Sequence, residues 1–128
     1  MCCLSDRIQI YHRDEILVEN SFGMWVGICS RPDHFNGEVS LEYVTLEPNR
    51  EYRSHHHIKA SALVLILQGS GYILDCDGNR YDARQGSLAY FPRGVRHGFV
   101  TENDVLTFVA VQSPPIKNIE TGEEDFVE

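Results

Sequence analysis

Residues 80–100, RYDARQGSLAYFPRGVRHGFV, place three short runs, Arg80–Asp82, Ser87–Phe91 and His97–Val100, between the turn clusters Arg84-Gln85-Gly86 and Pro92-Arg93-Gly94. Runs this short cannot complete a helix, and glycine and proline at each break supply the backbone angles of tight turns. The same rhythm extends backwards through Phe22–Cys29, Val39–Leu46, Ala62–Leu67 and Gly71–Asp75, and forwards through Val105–Val111. Between these runs lie Glu47-Pro48-Asn49, Gln68-Gly69-Ser70-Gly71, Asp77-Gly78-Asn79 and Glu102-Asn103-Asp104, with Asp77-Gly78 reading as a two-residue hairpin turn. No helical period of apolar residues interrupts the series, so the expected class is all-β, and about eight strands make a sandwich or barrel. The barrel is expected over residues 21–113, where Ser113-Pro114-Pro115 stops the last strand because proline cannot donate to a ladder. Residues 1–20 are expected as an edge strand or dimer contact, and 114–128 as an acidic tail.

The chain has 128 residues, 42% hydrophobic and 23% charged, which is the composition and length of one globular domain. Its longest apolar stretch, Ala62–Leu67, is of strand length, far below the run of about 18 that spans a bilayer, so no membrane association is expected. Charged residues from Asp6 to Glu15 break any signal-peptide core, and Cys2, Cys3, Cys29 and Cys76 form no C-x-x-C pair. Reduced thiols and a cytoplasmic location follow as expectations. The net charge of −8 is concentrated at one end: residues 120–128 hold five acids and no base, leaving 11 bases against 14 acids elsewhere. A body with no basic stripe is a poor partner for phosphate backbones, which argues against nucleic acid, and the tail reads as a solvated, mobile end.

The chemistry is concentrated in histidine. His55, His56 and His57 are consecutive, just before the most apolar run. On an extended segment alternate residues share a face, so His55 and His57 present imidazoles to one point while His56 points away. His97, beyond the turn at Pro92-Arg93-Gly94, supplies a third nitrogen donor. Three neutral imidazoles suit a divalent transition metal and leave coordination positions open.

These residues resemble the motifs of the cupin superfamily, G-x5-H-x-H-x3,4-E-x6-G and G-x5-P-x-G-x2-H-x3-N. The second is met at Gly86, Pro92, Gly94 and His97, with Thr101 where the motif has asparagine. The first is met at His55, His57 and Gly69, with Asn49 at its opening glycine, a residue that tolerates the left-handed turn conformation. The resemblance, over residues 39–112, implies a double-stranded β-helix, the jelly-roll barrel of cupins. It also implies a metal at His55, His57 and His97, with Fe(II) favoured and Zn, Ni, Mn or Cu as alternatives, and a homodimer. The motif's glutamate is missing: its position is Ala62, and neither Ser61 nor Leu63 replaces it. The three-histidine set that remains is similar to that of cupin dioxygenases without an acidic ligand. Uncompensated by protein carboxylate, the metal would favour an anionic, chelating small molecule.

Alternation extends the inward face from Ala62 to Val64, Ile66 and Gln68, and from His97 to Phe99, giving a largely apolar wall suited to a modest hydrophobic ligand. Arg53 shares the parity of His55 and is a candidate for an anionic group at the mouth, while Tyr43, Tyr72 and Tyr90 are candidate phenols for proton transfer. Trp25, Phe91 and Phe108 read as core, Cys76 as a small buried thiol, and Arg93 and Arg96 as surface residues. The expected function is an Fe(II)-type dioxygenase. A metal-dependent lyase or isomerase and a non-catalytic small-molecule binder are the alternatives.

Overall fold

The structure is a computed structural model, and it describes residues 8–13, 18–21, 24–29, 34–117 and 121–128. Among the described residues there are nine strands, β1 Val18–Ser21, β2 Met24–Cys29, β3 Ser40–Leu46, β4 Glu51–His55, β5 Ser61–Leu74, β6 Arg80–Arg84, β7 Leu88–Phe91, β8 His97–Val100 and β9 Leu106–Ser113, and a short 3-10 helix at His34–Gly37. All pairings are antiparallel, in the order β1-β2-β3-β9-β5-β8-β4, with β6 and β7 also paired to β5. This curled antiparallel sheet is a jelly-roll β-barrel. Among the described residues no helix is long and apolar enough to cross a membrane.

Period-two alternation builds the core. Along β5, Ala62, Val64 and Ile66 are buried while Leu63 and Leu65 point outward, and β3 buries Val44 and Leu46. Phe91, Phe99 and Phe108 join them, with the Phe99 and Phe108 rings stacked 4.4 Å apart. The side chain of Trp25 and the positions of Cys2 and Cys3 lie outside the described residues.

The largest departure from the sequence reading is β5. Gln68-Gly69-Ser70-Gly71 was expected as a turn between two strands, yet Ser61–Leu74 is one strand of 14 residues. A register shift between Ile66 and Gln68 forms a bulge, and Gly69 takes φ +82° immediately after it. The bulge lets one strand change partners: β7 pairs with it before the shift and β6 and β8 after it, while β9 pairs along it as far as Gly69. It also ends the inward phase: Ile66 is buried deep in the core, but Gln68, expected in the pocket wall, is exposed.

Three smaller differences follow from local hydrogen bonding. The β5–β6 connection runs over five residues, because the Asp75 carboxylate accepts from the backbone N–H groups of Asp77 and Asn79. Cys76 sits in that turn as an exposed free thiol, not in the core. Residues 124–128 pack against the barrel instead of running free, with backbone hydrogen bonds from His56 to the Val127 carbonyl and back, each 2.9 Å.

Gly69 is the most constrained position: a Cβ there would stand 1.7 Å from the Val105 carbonyl oxygen. Gly69→Ala is therefore expected to cost about 3 kcal/mol or more in urea unfolding, since backbone atoms must move to admit it. A loss under about 1 kcal/mol would show that the bulge is not a fixed point of the fold.

Candidate metal centre

His55 closes β4 and His97 opens β8, and the two are direct antiparallel partners. A register shift between Tyr52 and His55 re-aims the end of β4. His57 lies just beyond, where its carbonyl accepts from the Gly94 N–H at 2.8 Å, so the Pro92-Arg93-Gly94 turn ties it to β8. Asn49 takes φ +57°, as the turn before β4 requires. Thr101, in place of the motif's asparagine, holds that turn: its hydroxyl donates to the Glu47 carbonyl and accepts from the Arg50 N–H at 3.0 Å.

All three imidazoles are buried, and their ligand nitrogens lie within 4.8 Å of one another. Among the described residues no carboxylate joins this cluster. Each Nδ1 faces a backbone carbonyl, that of Arg53 at 2.8 Å for His55, Val95 at 3.0 Å for His97, and Asp125 for His57. A carbonyl only accepts, so each Nδ1 carries the proton and each Nε2 keeps a free lone pair. Burial pushes His55 down to about 3 and His97 down to about 4, so both rings are neutral at physiological pH. Three converging nitrogen donors, each oriented by a backbone carbonyl, fit a divalent transition metal.

The rings are fixed from behind by aromatic packing. His97 stacks on Phe91 at 4.0 Å with 3° between planes, and His55 stacks on Tyr52 at 4.8 Å and on Phe126 at 4.4 Å. Phe126 comes from the C-terminal segment, whose Asp125 carboxylate accepts from the N–H groups of Ile58, Lys59 and Ala60 at 2.6, 2.9 and 3.0 Å. Burial opposes ionisation of Asp125, but these three donors outweigh it and hold the carboxyl below its ordinary range.

The cavity in front of the imidazoles has a volume of about 20 Å³, room for roughly one water. Ala62, Val64 and Phe99 line it as the alternation implies, together with Phe91, Phe108 and Ala110. Three polar residues that the sequence reading missed also line it: Glu42, Tyr52 and Gln112. The Gln112 amide donates to Glu42 at 2.7 Å and its oxygen accepts from the Ser40 hydroxyl at 2.8 Å. Burial pushes the Glu42 carboxyl up to about 7, and burial likewise holds the Tyr52 phenol far above its ordinary value. The parity of β3 carried the signal, since Glu42 shares a face with the buried Val44 and Leu46.

The other candidates lie elsewhere. Tyr43 has the opposite parity to Glu42 and its hydroxyl meets Arg13 at 3.3 Å. Tyr72 is beyond the bulge, in an open groove with Asp82, Arg84 and Glu102 that shares no wall residue with the histidine cavity. Tyr90 points outward and is 60% exposed. Arg53 is at the surface, paired with Glu128 at 2.9 Å. Arg96, expected at the surface, is half-buried and donates to the Ser54 carbonyl at 3.1 Å, bracing β4.

These shifts oppose one another in the metal-free protein. The lowered histidine values contribute stability that is present above about pH 6.5 and lost as pH falls toward 4. The raised Glu42 value contributes stability that is present below 4.5 and lost as pH rises through about 7. Glu42→Gln removes only the second effect, so its stability relative to wild type should climb between pH 4.5 and 7, by up to about 1.4 kcal/mol per pH unit. Urea unfolding of both proteins across that range measures the slope, and parallel curves would contradict a raised carboxyl. Removal of residues 121–128 takes away the acceptor for His57 Nδ1 and the ring over His55. It should weaken Zn(II) binding by about 10- to 100-fold in a competition titration.

Solved structures share this fold at low identity. The polyketide cyclase RemF from Streptomyces resistomycificus superposes with a TM-score of 0.73 at 21% identity, covering 84% of this chain and 80% of its own. Ectoine synthase from P. lautus gives 0.69 at 17% identity, covering 84% and 79%. A sugar phosphate isomerase of the cupin superfamily from Silicibacter pomeroyi gives 0.66 at 21%, covering 82% and 75%. No curated protein matches the sequence. The family model described as Cupin domain matches residues 42–111, from the carboxyl-bearing strand through all three histidines to the last strand, and the chain belongs to that family.

Proposed function

We propose that this chain is a metal-dependent enzyme that binds a small, anionic, largely apolar substrate at a divalent metal held by His55, His57 and His97. The observation that carries the reading is the convergence of three buried imidazoles whose Nδ1 protons are all committed to backbone carbonyls. When bound, the metal supplies positive charge that polarises a substrate oxygen. The chain's own residues do the rest. The imidazoles orient the site, the apolar wall excludes water, Phe126 braces His55, and a donor set without carboxylate leaves a substrate anion to balance the charge.

Of the reaction classes open to such a site, non-oxidative lyase, isomerase or cyclase chemistry is the one adopted. Three structural neighbours carry the names of a cyclase, a synthase and an isomerase, and the cavity wall offers a carboxyl for proton movement. An Fe(II) dioxygenase is the second reading, favoured by the absence of an acidic ligand from the donor set. The exposed thiol of Cys76 fits a reducing, cytoplasmic setting. The outward faces of β5 and β7 set Leu63 opposite Tyr90 and Leu65 opposite Leu88, an exposed apolar surface that suits a second copy of the chain.

Metal analysis by mass spectrometry of protein purified without a histidine tag should give close to one metal per chain. His55→Ala, His57→Ala and His97→Ala should each lose it. Metal-free wild type that takes up no Fe(II), Zn(II), Mn(II), Ni(II) or Cu(II) would overturn the reading. Oxygen uptake by the iron-loaded protein with thiols or diketones would move it to the dioxygenase. Light scattering should give twice the chain mass of 14.6 kDa; a monomer at micromolar concentration overturns the dimer.

A further inference from the structure

Glu42, half-buried in the cavity wall, is a titratable group that the metal-holding role leaves unused. Its position answers the missing acid at Ala62. Ala62 on β5 is paired with Gln112 on β9, and Gln112 is paired with Ser40 on β3, so these three positions cross the sheet in one row. Glu42 follows two residues along β3, on the same face, and Gln112 reaches it by hydrogen bond. The carboxyl is thus moved two strands away, out of the nitrogen cluster but still in the wall of the same cavity.

We propose that Glu42 is the proton-transfer group of this site, held by Gln112 and Ser40, and that the substrate is a small oxo or hydroxy acid with an acidic C–H beside its carbonyl. The inference rests on the metal-dependent reading above. In the step, a Glu42 oxygen takes the proton from that carbon; the C–H electron pair becomes a C=C bond and the carbonyl π pair moves onto oxygen. The resulting carboxylic acid then returns the proton as the oxygen pair re-forms the C=O bond: where a further C=C bond is conjugated to the enolate, the proton goes to its far carbon, which completes an isomerisation; where the next carbon bears a hydroxyl, the enolate C=C pair becomes the new Cα=Cβ bond and the hydroxyl takes the proton and departs with its C–O pair as water. A carboxyl that ionises near neutrality serves in both directions.

The titratable groups that bear on Glu42 are Tyr52 from β4, the three histidines across the cavity, and Lys117 and Glu124 beside the C-terminal segment. A divalent ion at the histidines adds positive charge to that set, so loading should favour the ionised carboxylate.

The test uses the full chain with 13C-labelled glutamate, the Glu42 signal being assigned by its loss in Glu42→Gln. The signal should titrate near pH 7 without metal and at least one unit lower with Zn(II) bound. Glu42→Gln should keep one Zn(II) per chain. In D2O the Zn-loaded wild type should speed α-proton exchange of pyruvate, 2-oxobutyrate or acetoacetate. Glu42→Gln should lose at least about 100-fold of that rate, with part restored in Glu42→Asp. Titration in the ordinary carboxylate range, or indifference to Zn(II), overturns the proposal, as does equal exchange by wild type and Glu42→Gln. Loss of Zn(II) from Glu42→Gln would make the residue a ligand and overturn it too. No exchange above buffer with any of the three acids overturns the substrate class. Failure of wild type to bind Zn(II) would instead sink the three-histidine reading, with the metal-free midpoint of Glu42 still measurable.

Discussion

The bulge of β5 at Ile66 to Gly69 is the constraint on which the geometry of the site depends. Before it the strand pairs with β9, which carries Gln112 and through it β3 and Glu42; after it the strand pairs with β8, which carries His97 and through it β4 and His55. One backbone distortion therefore sets the carboxyl wall against the imidazole wall. The distortion is specified by sterics, because the Val105 carbonyl oxygen occupies the space a Cβ at Gly69 would need. A metal centre requires its donors placed to within a few tenths of an ångström, and a strand shared by both walls supplies that rigidity more directly than loops would.

Burial shifts the cavity's polar groups toward their uncharged forms. His55 and His97 are neutral, all three imidazoles have one nitrogen satisfied by a backbone carbonyl, and burial raises the Tyr52 phenol and the Glu42 carboxyl toward their protonated forms. An isolated buried charge is costly, so neutralisation is the low-energy state of an empty site. A divalent ion held by the three histidines would reverse the balance by favouring ionisation of the carboxyl across the cavity. An acid in the donor set would be locked as an anion; on the opposite wall, as at Glu42, it would sense the metal and stay free to exchange a proton.

The sequence displayed the strands, the turn at Pro92-Arg93-Gly94 and the three histidines because each depends on local chemistry: period-two alternation, proline and glycine geometry, and imidazoles of equal parity. Glu42 was less visible, since an acid within an apolar alternation reads as a surface residue until its partner Gln112, 70 residues away, is known. Tyr43, Tyr72 and Tyr90 showed the converse failure. Their residue type suggested chemistry, but parity or the bulge turns them away from the cavity. Gly69 read as part of a turn because turn and bulge make the same local demand for positive φ, and only the partner strand distinguishes them.

The C-terminal segment shows most clearly how composition can mislead. Five acids in nine residues describe a solvated end, yet what holds residues 124–128 is largely sequence-neutral: two backbone hydrogen bonds between His56 and Val127, and a carbonyl from Asp125 to His57. The acids contribute through placement, Asp125 capping three N–H groups that the backbone leaves exposed after His57 and Glu128 pairing with Arg53. That docking delivers one aromatic ring, Phe126, to the face of His55. Because the same segment also supplies the acceptor for His57 Nδ1, a single docked segment fixes the orientation of two of the three imidazoles.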